Sequence, residues 1–389
     1  MKISDLKETF QRCRAHTLSL CEGLLLEDVN AQPKHFVSPP KWHLAHTTWF
    51  FEQFVLLKSV ANYTVFNPQF SFLFNSYYHH AGNRGLRELR GNNTRPGLKE
   101  VLKYREYVDS QLFALFEKNS TNFNIDVLLL GIQHEQQHQE LLYYDIKYIL
   151  GNQYFPPRLP LEIAAKSIAK ESNSYINISG GNYSIGAKPE GFSFDHEKPE
   201  HLVYLAPYSI ASQPITNGEY LDFIEDGGYS NFRYWHDEGY RYIQSEEILS
   251  PLYWRLKNGK WYDYGANGLE PLNLDKPVCH ISYFEAYAFA QWRGMRLPTE
   301  AEWEVASSKF NWGQVWEWTN SAFLAYPGYQ QENGALGEYN GKFMVNQMVL
   351  RGGSYATPKN HTRPTYRNFF HANMRWMTSG IRLAKSQTI

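Results

Sequence analysis

Apolar residues in the first 150 positions recur at helical intervals. Leu6, Phe10, Cys13, His16, Leu20 and Leu24 fall three or four apart, and Leu98, Val101, Leu102, Tyr104, Val108, Leu112 and Leu115 form a second series after Pro96. This period lines one face of an α-helix. Two further segments read as helices. Lys41 to Glu52 follows the breaker Pro39-Pro40, and Ile132 to Leu150 contains neither Pro nor Gly. Between them, the aromatic stretch Phe70 to His80 reads as a loop or short helix. Gly82 to Pro96, with Arg84, Arg87, Arg90 and Arg95, reads as a long polar loop, a kind of segment that often carries function. Asn122 to Asp126 breaks the third helix from the last. Together these segments predict a four-helix bundle over residues 1–151.

The pattern then changes. Residues 152–173 read as a linker, opening with Tyr154-Phe155-Pro156-Pro157-Arg158-Leu159-Pro160 and continuing polar. Beyond it come short alternating segments such as Tyr175-Ile176-Asn177-Ile178 and His201-Leu202-Val203-Tyr204-Leu205, separated by Gly turns, which is the pattern of strands. One helical run, Tyr283 to Trp292, stands among them. Residues 174–389 therefore predict an α+β domain with much irregular structure, and the chain as a whole a multidomain α plus α+β protein. There is no fixed-period repeat and no low-complexity tract.

Composition narrows the partners. The formal net charge is −1 and no Lys/Arg block is present, which argues against nucleic acid or an anionic membrane as ligand. No apolar run is long enough to span a bilayer. Met1 to Lys7 lacks an apolar signal region. Cys13, Cys21 and Cys279 show no metal or redox spacing, so a reducing cytoplasm is the expected location. Phe, Trp and Tyr make up 16% of the chain, which suits a large core and also a site for a flat or cationic ligand.

The chemistry-bearing stretch is Gly131-Ile132-Gln133-His134-Glu135-Gln136-Gln137-His138-Gln139-Glu140. On a helix, His134 and His138 stand one turn apart on one face and can reach one ion. Glu140 points roughly 120–160° away from them, so it is a packing or supporting residue rather than a third ligand. A His pair at this spacing also occurs on solvated helix faces. What shifts the balance is Trp42-His43-Leu44-Ala45-His46 upstream, because two imidazoles in an aromatic helix are costly to bury without partners. The two segments could build a three-His site inside a bundle. Periodicity alone does not choose between His43 and His46, and three His ligands do not choose between iron and zinc.

Six motifs of the second half occur in order: Gly180-Gly181-Asn182-Tyr183-Ser184-Ile185-Gly186, Pro214-Ile215-Thr216-Asn217-Gly218-Glu219-Tyr220, Arg296-Leu297-Pro298-Thr299-Glu300-Ala301-Glu302-Trp303-Glu304, Val315-Trp316-Glu317-Trp318-Thr319, Leu350-Arg351-Gly352-Gly353-Ser354 and Gly380-Ile381-Arg382-Leu383. In these it resembles the formylglycine-generating-enzyme type of C-type-lectin-like fold. That fold hosts many functions. Formylglycine-generating enzymes themselves use a Cys pair in this domain, where this chain has Cys279 alone, so that activity is not expected.

The first half resembles the DinB-like helix bundle, whose members often hold a metal with three His. The combination resembles the sulfoxide synthases of ergothioneine biosynthesis, which are non-haem iron enzymes. The residues that carry the likeness are Trp42 to Glu52, Leu73-Phe74-Asn75-Ser76-Tyr77-Tyr78, Gln133 to Glu140 and Met348 to Ser354 with Tyr366-Arg367-Asn368-Phe369-Phe370. The resemblance implies His46, His134 and His138 as ligands of Fe(II), with O2 as co-substrate. It implies a reaction that joins the thiol of cysteine or gamma-glutamylcysteine to the imidazole of N-alpha-trimethylhistidine (hercynine), with oxidation of the sulfur. Asn368, Phe369 and Phe370 would face the trimethylammonium group, which has no N–H and is suited to aromatic faces. Gln137 would bond the substrate imidazole. Arg87 and Arg90 would grip the carboxylate of the thiol donor. Tyr77 and Tyr78 would supply the proton donor. Related readings within the class use a selenosugar donor or plain histidine as acceptor. Outside it stand a zinc-dependent thiol S-transferase and a ligand-binding module without activity.

Overall fold

The computed structural model describes residues 3–76, 82–117, 123–161, 163–168, 174–332, 334, 337 and 341–387. The chain divides into two compact units, Met1–Leu161 with Glu332–Tyr339, and Glu162–Gln331 with Asn340–Ile389.

Four long helices frame the first unit: α1 (Ile3–Ser19), α2 (Pro40–Phe51), α5 (Leu98–Glu117) and α6 (Ile125–Gly151). Two short helical turns, α3 (Leu57–Ser59) and α4 (Phe70–Leu73), lie between α2 and α5. Helix α2 packs against both α5 and α6, and α1 packs against α6. Pro40 occupies the first turn of α2, where a missing N–H costs nothing. Every residue of α2 is buried, the charged and polar ones included. At its C-terminal end α2 passes into a π-helical turn, Glu52–Leu56. The buried Glu52 carboxylate there accepts bonds from the Tyr104 hydroxyl at 2.6 Å and the Tyr63 hydroxyl at 2.9 Å, which ties the turn to α5.

Helix α6 differs from the sequence expectation at its start. It begins at Ile125, with the Asn124 side chain accepting from the backbone N–H groups of Asp126 and Val127, and it runs straight through Gly131. Gly131 is tolerated inside the helix because α2 approaches there. A Cβ on it would stand 2.5 Å from the Phe51 ring and 2.9 Å from the Phe50 ring. The missing side chain lets two aromatic residues of α2 lie against the backbone of α6, one turn before His134. Helix α1 ends at Ser19, so Leu24 lies beyond it.

The described residues of the second unit form four small sheets. Strands β1 (Tyr175–Ile178), β4 (Tyr208–Ala211) and β12 (Ala384–Ser386) form one, in the order β1-β4-β12. A hairpin pairs β2 (Gly181–Ile185) with β3 (His201–Leu205), and a meander joins β5 (Trp254–Lys257), β6 (Lys260–Gly265) and β7 (Gly268–Pro271). The fourth sheet runs β10-β9-β8-β11, from β8 (Trp316–Ala322), β9 (Met348–Arg351), β10 (Asn368–Phe370) and β11 (Ser379–Gly380), with β11 parallel to β8. Of the helices α7 (Asn217–Glu225), α8 (Asp237–Ser245), α9 (Tyr283–Trp292) and α10 (Glu300–Ala306), three begin with reciprocal capping boxes. These are Thr216 with Glu219, Ser282 with Glu285 and Thr299 with Glu302.

Many of the interior charges of this unit meet in its motifs. Arg382 and Glu317 form a two-pronged pair with both N–O distances at 2.7 Å, and the Trp303 indole N–H adds a bond to the same carboxylate. Arg367 holds Glu300 in the same way, at 2.8 Å on both prongs. Arg351 pairs with Glu304, Arg363 with Glu197, and Arg296 with Glu302. Each acidic residue of the segment Arg296 to Glu304 thus meets an arginine that comes from another part of the chain or from the motif's own start. Such planar pairs fix direction as well as distance.

Candidate metal centre

Three imidazoles converge in the first unit. His46 comes from α2, and His134 and His138 come from successive turns of α6. One ring nitrogen of each lies within 4.8 Å of the others, and all three side chains are buried. The Nε2 atoms of His46 and His134 are 3.1 Å apart. That is the spacing of two adjacent donors around one ion at bond lengths of roughly 2.1 Å. Among the described residues no carboxylate belongs to the group, so the donor set found there is three neutral nitrogens.

Each ring is held from the side. His46 donates from Nδ1 to the carbonyl of Phe74 at 2.5 Å, which leaves the Nε2 lone pair directed at the cluster. Its ring stacks on Trp42 at 4.4 Å between centroids and on Trp49 at 5.6 Å. Phe50 packs against His134 at 4.9 Å. Burial lowers the basicity of all three rings. His134 falls to about 3, and His46 and His138 are held well below the usual range, with neighbouring imidazoles adding to the effect of burial. The rings are therefore neutral at pH 7, which is the form that binds a metal.

His43 does not join the triangle. Its Nδ1 stands 2.9 Å from Nδ1 of His138, and its Nε2 stands 2.9 Å from Oδ2 of Asp145. Asp145 also accepts from the backbone N–H of Ser38 at 2.9 Å. All three side chains in this row are buried. Sequence reasoning missed Asp145, yet a signal for it existed. It lies seven positions after His138, two helical turns along the same face. Glu140 is buried outside the triangle.

On the other side of α6, Glu135 sits in a separate charge network. It accepts from Arg105 at 2.6 Å, Arg14 at 2.9 Å and the Thr17 hydroxyl at 2.6 Å. Burial alone would push this carboxyl up, but Arg105 and Arg14 outweigh it and lower it to about 2. Arg14 reaches on to Asp109 and to Thr48 of α2. The network clamps α1, α2, α5 and α6 together one residue away from His134.

Of the remaining sequence candidates, Arg90 is buried. It bonds Ser38 at 2.8 Å and Ser76 at 2.9 Å, and its guanidinium lies 3.3 Å from the centre of the Trp42 ring. Arg90 therefore braces the tryptophan that stacks on His46. Arg87 is exposed and donates to the carbonyl of Phe36 at 2.6 Å. Gln137 is half-buried on α6, one position before His138. Asn368, Phe369 and Phe370 make up β10 in the second unit, with Phe369 stacked on Phe323 at 4.1 Å. Tyr77 and Tyr78 lie outside the described residues. No described helix is long and apolar enough to cross a membrane.

Comparison with known proteins places these features among relatives. Residues 9–142 match the model of the DinB superfamily. Residues 162–312 and 310–387 match the sulfatase-modifying factor enzyme 1-like domain. The hercynine oxygenase of Mycolicibacterium smegmatis is 31% identical over 307 residues, covering 66% of this chain and 70% of the relative. The protein of that name from Mycobacterium tuberculosis is 30% identical over 312 residues, covering 66% and 71%. Ergothioneine biosynthesis protein 1 of Schizosaccharomyces pombe is 28% identical over 232 residues, covering 50% of this chain and 28% of the relative.

Proposed function

This chain belongs to the hercynine oxygenase family, in which a DinB-type bundle is joined to a sulfatase-modifying-factor-like domain, and from that premise we propose that it is an iron(II)- and O2-dependent sulfoxide synthase of ergothioneine biosynthesis. It joins the thiol of cysteine or gamma-glutamylcysteine to the imidazole of hercynine and oxidises the sulfur. The observation that carries the reading is the buried triangle of His46, His134 and His138, three neutral donors with no carboxylate among them. Such a set suits a divalent transition ion, which His46, His134 and His138 would hold.

The reaction balances without an outside reductant. Forming the C–S bond from a thiol S–H and an imidazole C–H removes two electrons, and oxidation to the sulfoxide removes two more. O2 accepts four, one oxygen entering the product and the other leaving as water. Iron(II), when bound, supplies the redox chemistry that brings O2 into this exchange. The chain's own residues then bind and orient. Gln137 bonds the substrate imidazole and selects its tautomer. Arg87 and Arg90 hold the donor's carboxylate. Asn368, Phe369 and Phe370 receive the trimethylammonium group. One of Tyr77 and Tyr78 delivers a proton to the reacting oxygen.

The test is anaerobic loading with iron(II), addition of hercynine with cysteine or gamma-glutamylcysteine in separate vials, and then air. Mass spectrometry of the products reads the outcome. A sulfoxide conjugate with one donor supports the reading and chooses the donor. Bound iron and consumed O2 with no conjugate would remove the substrate assignment, and the selenosugar and plain-histidine reactions would then be tried. Retention of zinc in place of iron, with thiol transfer and no O2 uptake, would replace the oxygenase reading by a transferase.

A further inference from the structure

His43 and Asp145 have no part in the reading so far, yet they are built into the site as a row. Asp145 Oδ2, His43 and His138 follow one another at 2.9 Å and 2.9 Å, and Ser38 N–H fixes the carboxylate at 2.9 Å. The row is buried throughout. Its chemistry runs in one direction. A carboxylate only accepts, so the His43 nitrogen facing Asp145 is the one that carries hydrogen. In a neutral ring the other nitrogen, Nδ1, is then bare and accepts. The His138 nitrogen facing it must therefore be Nδ1–H, which leaves Nε2 of His138 as the lone pair free for an ion.

We propose that Asp145 and His43 are positioning residues that set the tautomer and ring orientation of His138 as a metal ligand. The inference rests on the metal reading of the three-His triangle. A carboxylate behind a ligating histidine is a known way of fixing such a ring, and its loss weakens metal binding by about 10–100-fold. Here an additional imidazole stands between the two. Two helices are locked by it, because His43 comes from α2 and both Asp145 and His138 come from α6. His43 thus makes the α2–α6 spacing a condition for correct ligand geometry. The position of His43, three residues before His46, allows one helix to supply both a ligand and the brace of another.

The test compares two nearly isosteric variants of the full chain, His43→Asn and His43→Leu. Asparagine keeps an acceptor close to the position of Nδ1, and leucine does not. Affinity for iron(II) is measured anaerobically against a chromophoric chelator, and cobalt(II) spectra report the ligand field. The expected result is a loss of about 10–100-fold for leucine, with most of it recovered by asparagine. Equal affinities for the wild type and both variants would overturn the relay while leaving the three-His site standing. Equal losses in both variants would also overturn it, since a packing defect would explain them. If the wild type takes up neither ion, the metal reading falls and the relay falls with it. A measurement on the wild type decides the matter even where the leucine variant does not fold. Nitrogen-15 spectra of the zinc-loaded protein are expected to show hydrogen on Nδ1 of His138 and on Nε2 of His43. Hydrogen on Nδ1 of His43 would overturn the proposal.

Discussion

The two units handle buried polar groups in opposite ways. In the second unit, interior cations meet carboxylates in fixed pairs, such as Arg382 with Glu317 and Arg367 with Glu300. Opposite charges complete one another there. In the first unit, His46, His134 and His138 bring three bases of the same kind together. Two of their nitrogens approach to 3.1 Å with no acid among them. A set of like donors is one that could hold an ion, whereas a set of matched pairs is complementary to itself. That contrast separates a site from a scaffold more surely than burial does. The Glu135 network makes the same point within one helix, since it is satisfied by Arg14 and Arg105 while its neighbour His134 faces the triangle.

Shape-conserving substitutions probe this contrast. The largest effect is expected from His134→Leu. Metal content of the folded protein should fall from about one ion to almost none, while stability of the metal-free protein changes by less than about 1.5 kcal/mol. Elemental analysis and denaturant unfolding read the two quantities. A large drop in metal-free stability would mean that the triangle is scaffold after all. Glu317→Gln should do the reverse. Leaving Arg382 buried without its counter-charge costs about 3–5 kcal/mol, while metal content per folded molecule stays the same.

A third effect is smaller. Iron(II) at a hundred times its dissociation constant should stabilise the wild type by about 2.7 kcal/mol, and should leave His134→Leu unmoved. A shift of the same size in both proteins would place the ion elsewhere. The smallest expected effect concerns the donor's carboxylate. Arg87→Ala should raise KM for the thiol about tenfold, worth about 1.4 kcal/mol, with kcat nearly unchanged. A fall in kcat alone would take Arg87 away from ground-state binding.

The fold was largely legible because its rules are local. Helical periodicity marked α1 and α5, a stretch without Pro or Gly marked α6, and Pro39-Pro40 marked the start of α2. The last four motifs of the second half turned out to carry ion pairs of its interior, so their order along the chain was in large part a record of the scaffold. For the same reason they said little about chemistry. The His134/His138 pair was legible because one helical turn brings both to one face. The role of His43 was not. Spacing along α2 places His43 and His46 close together, but which one enters the triangle depends on how α2 rotates against α6. Gly131, which admits the rings of Phe50 and Phe51, is one of the contacts that constrain that rotation. The start of α6 was missed because Gly131 looked like a helix boundary. Its missing side chain serves tertiary packing instead.

On the metal reading, the 88-residue separation of His46 and His134 has a consequence for how the protein would acquire its ion. A nascent chain that has delivered α2 holds one of the three triangle imidazoles and no site. The donors come together only when α6 has been made and has docked, a long-range closure that belongs to the late part of folding. A loose chain would take up divalent ions in their general order of affinity, copper foremost. Selection made after folding instead begins from nitrogen positions already set by aromatic packing and by the Phe74 carbonyl. On the metal reading, the order of assembly itself would act against mismetallation.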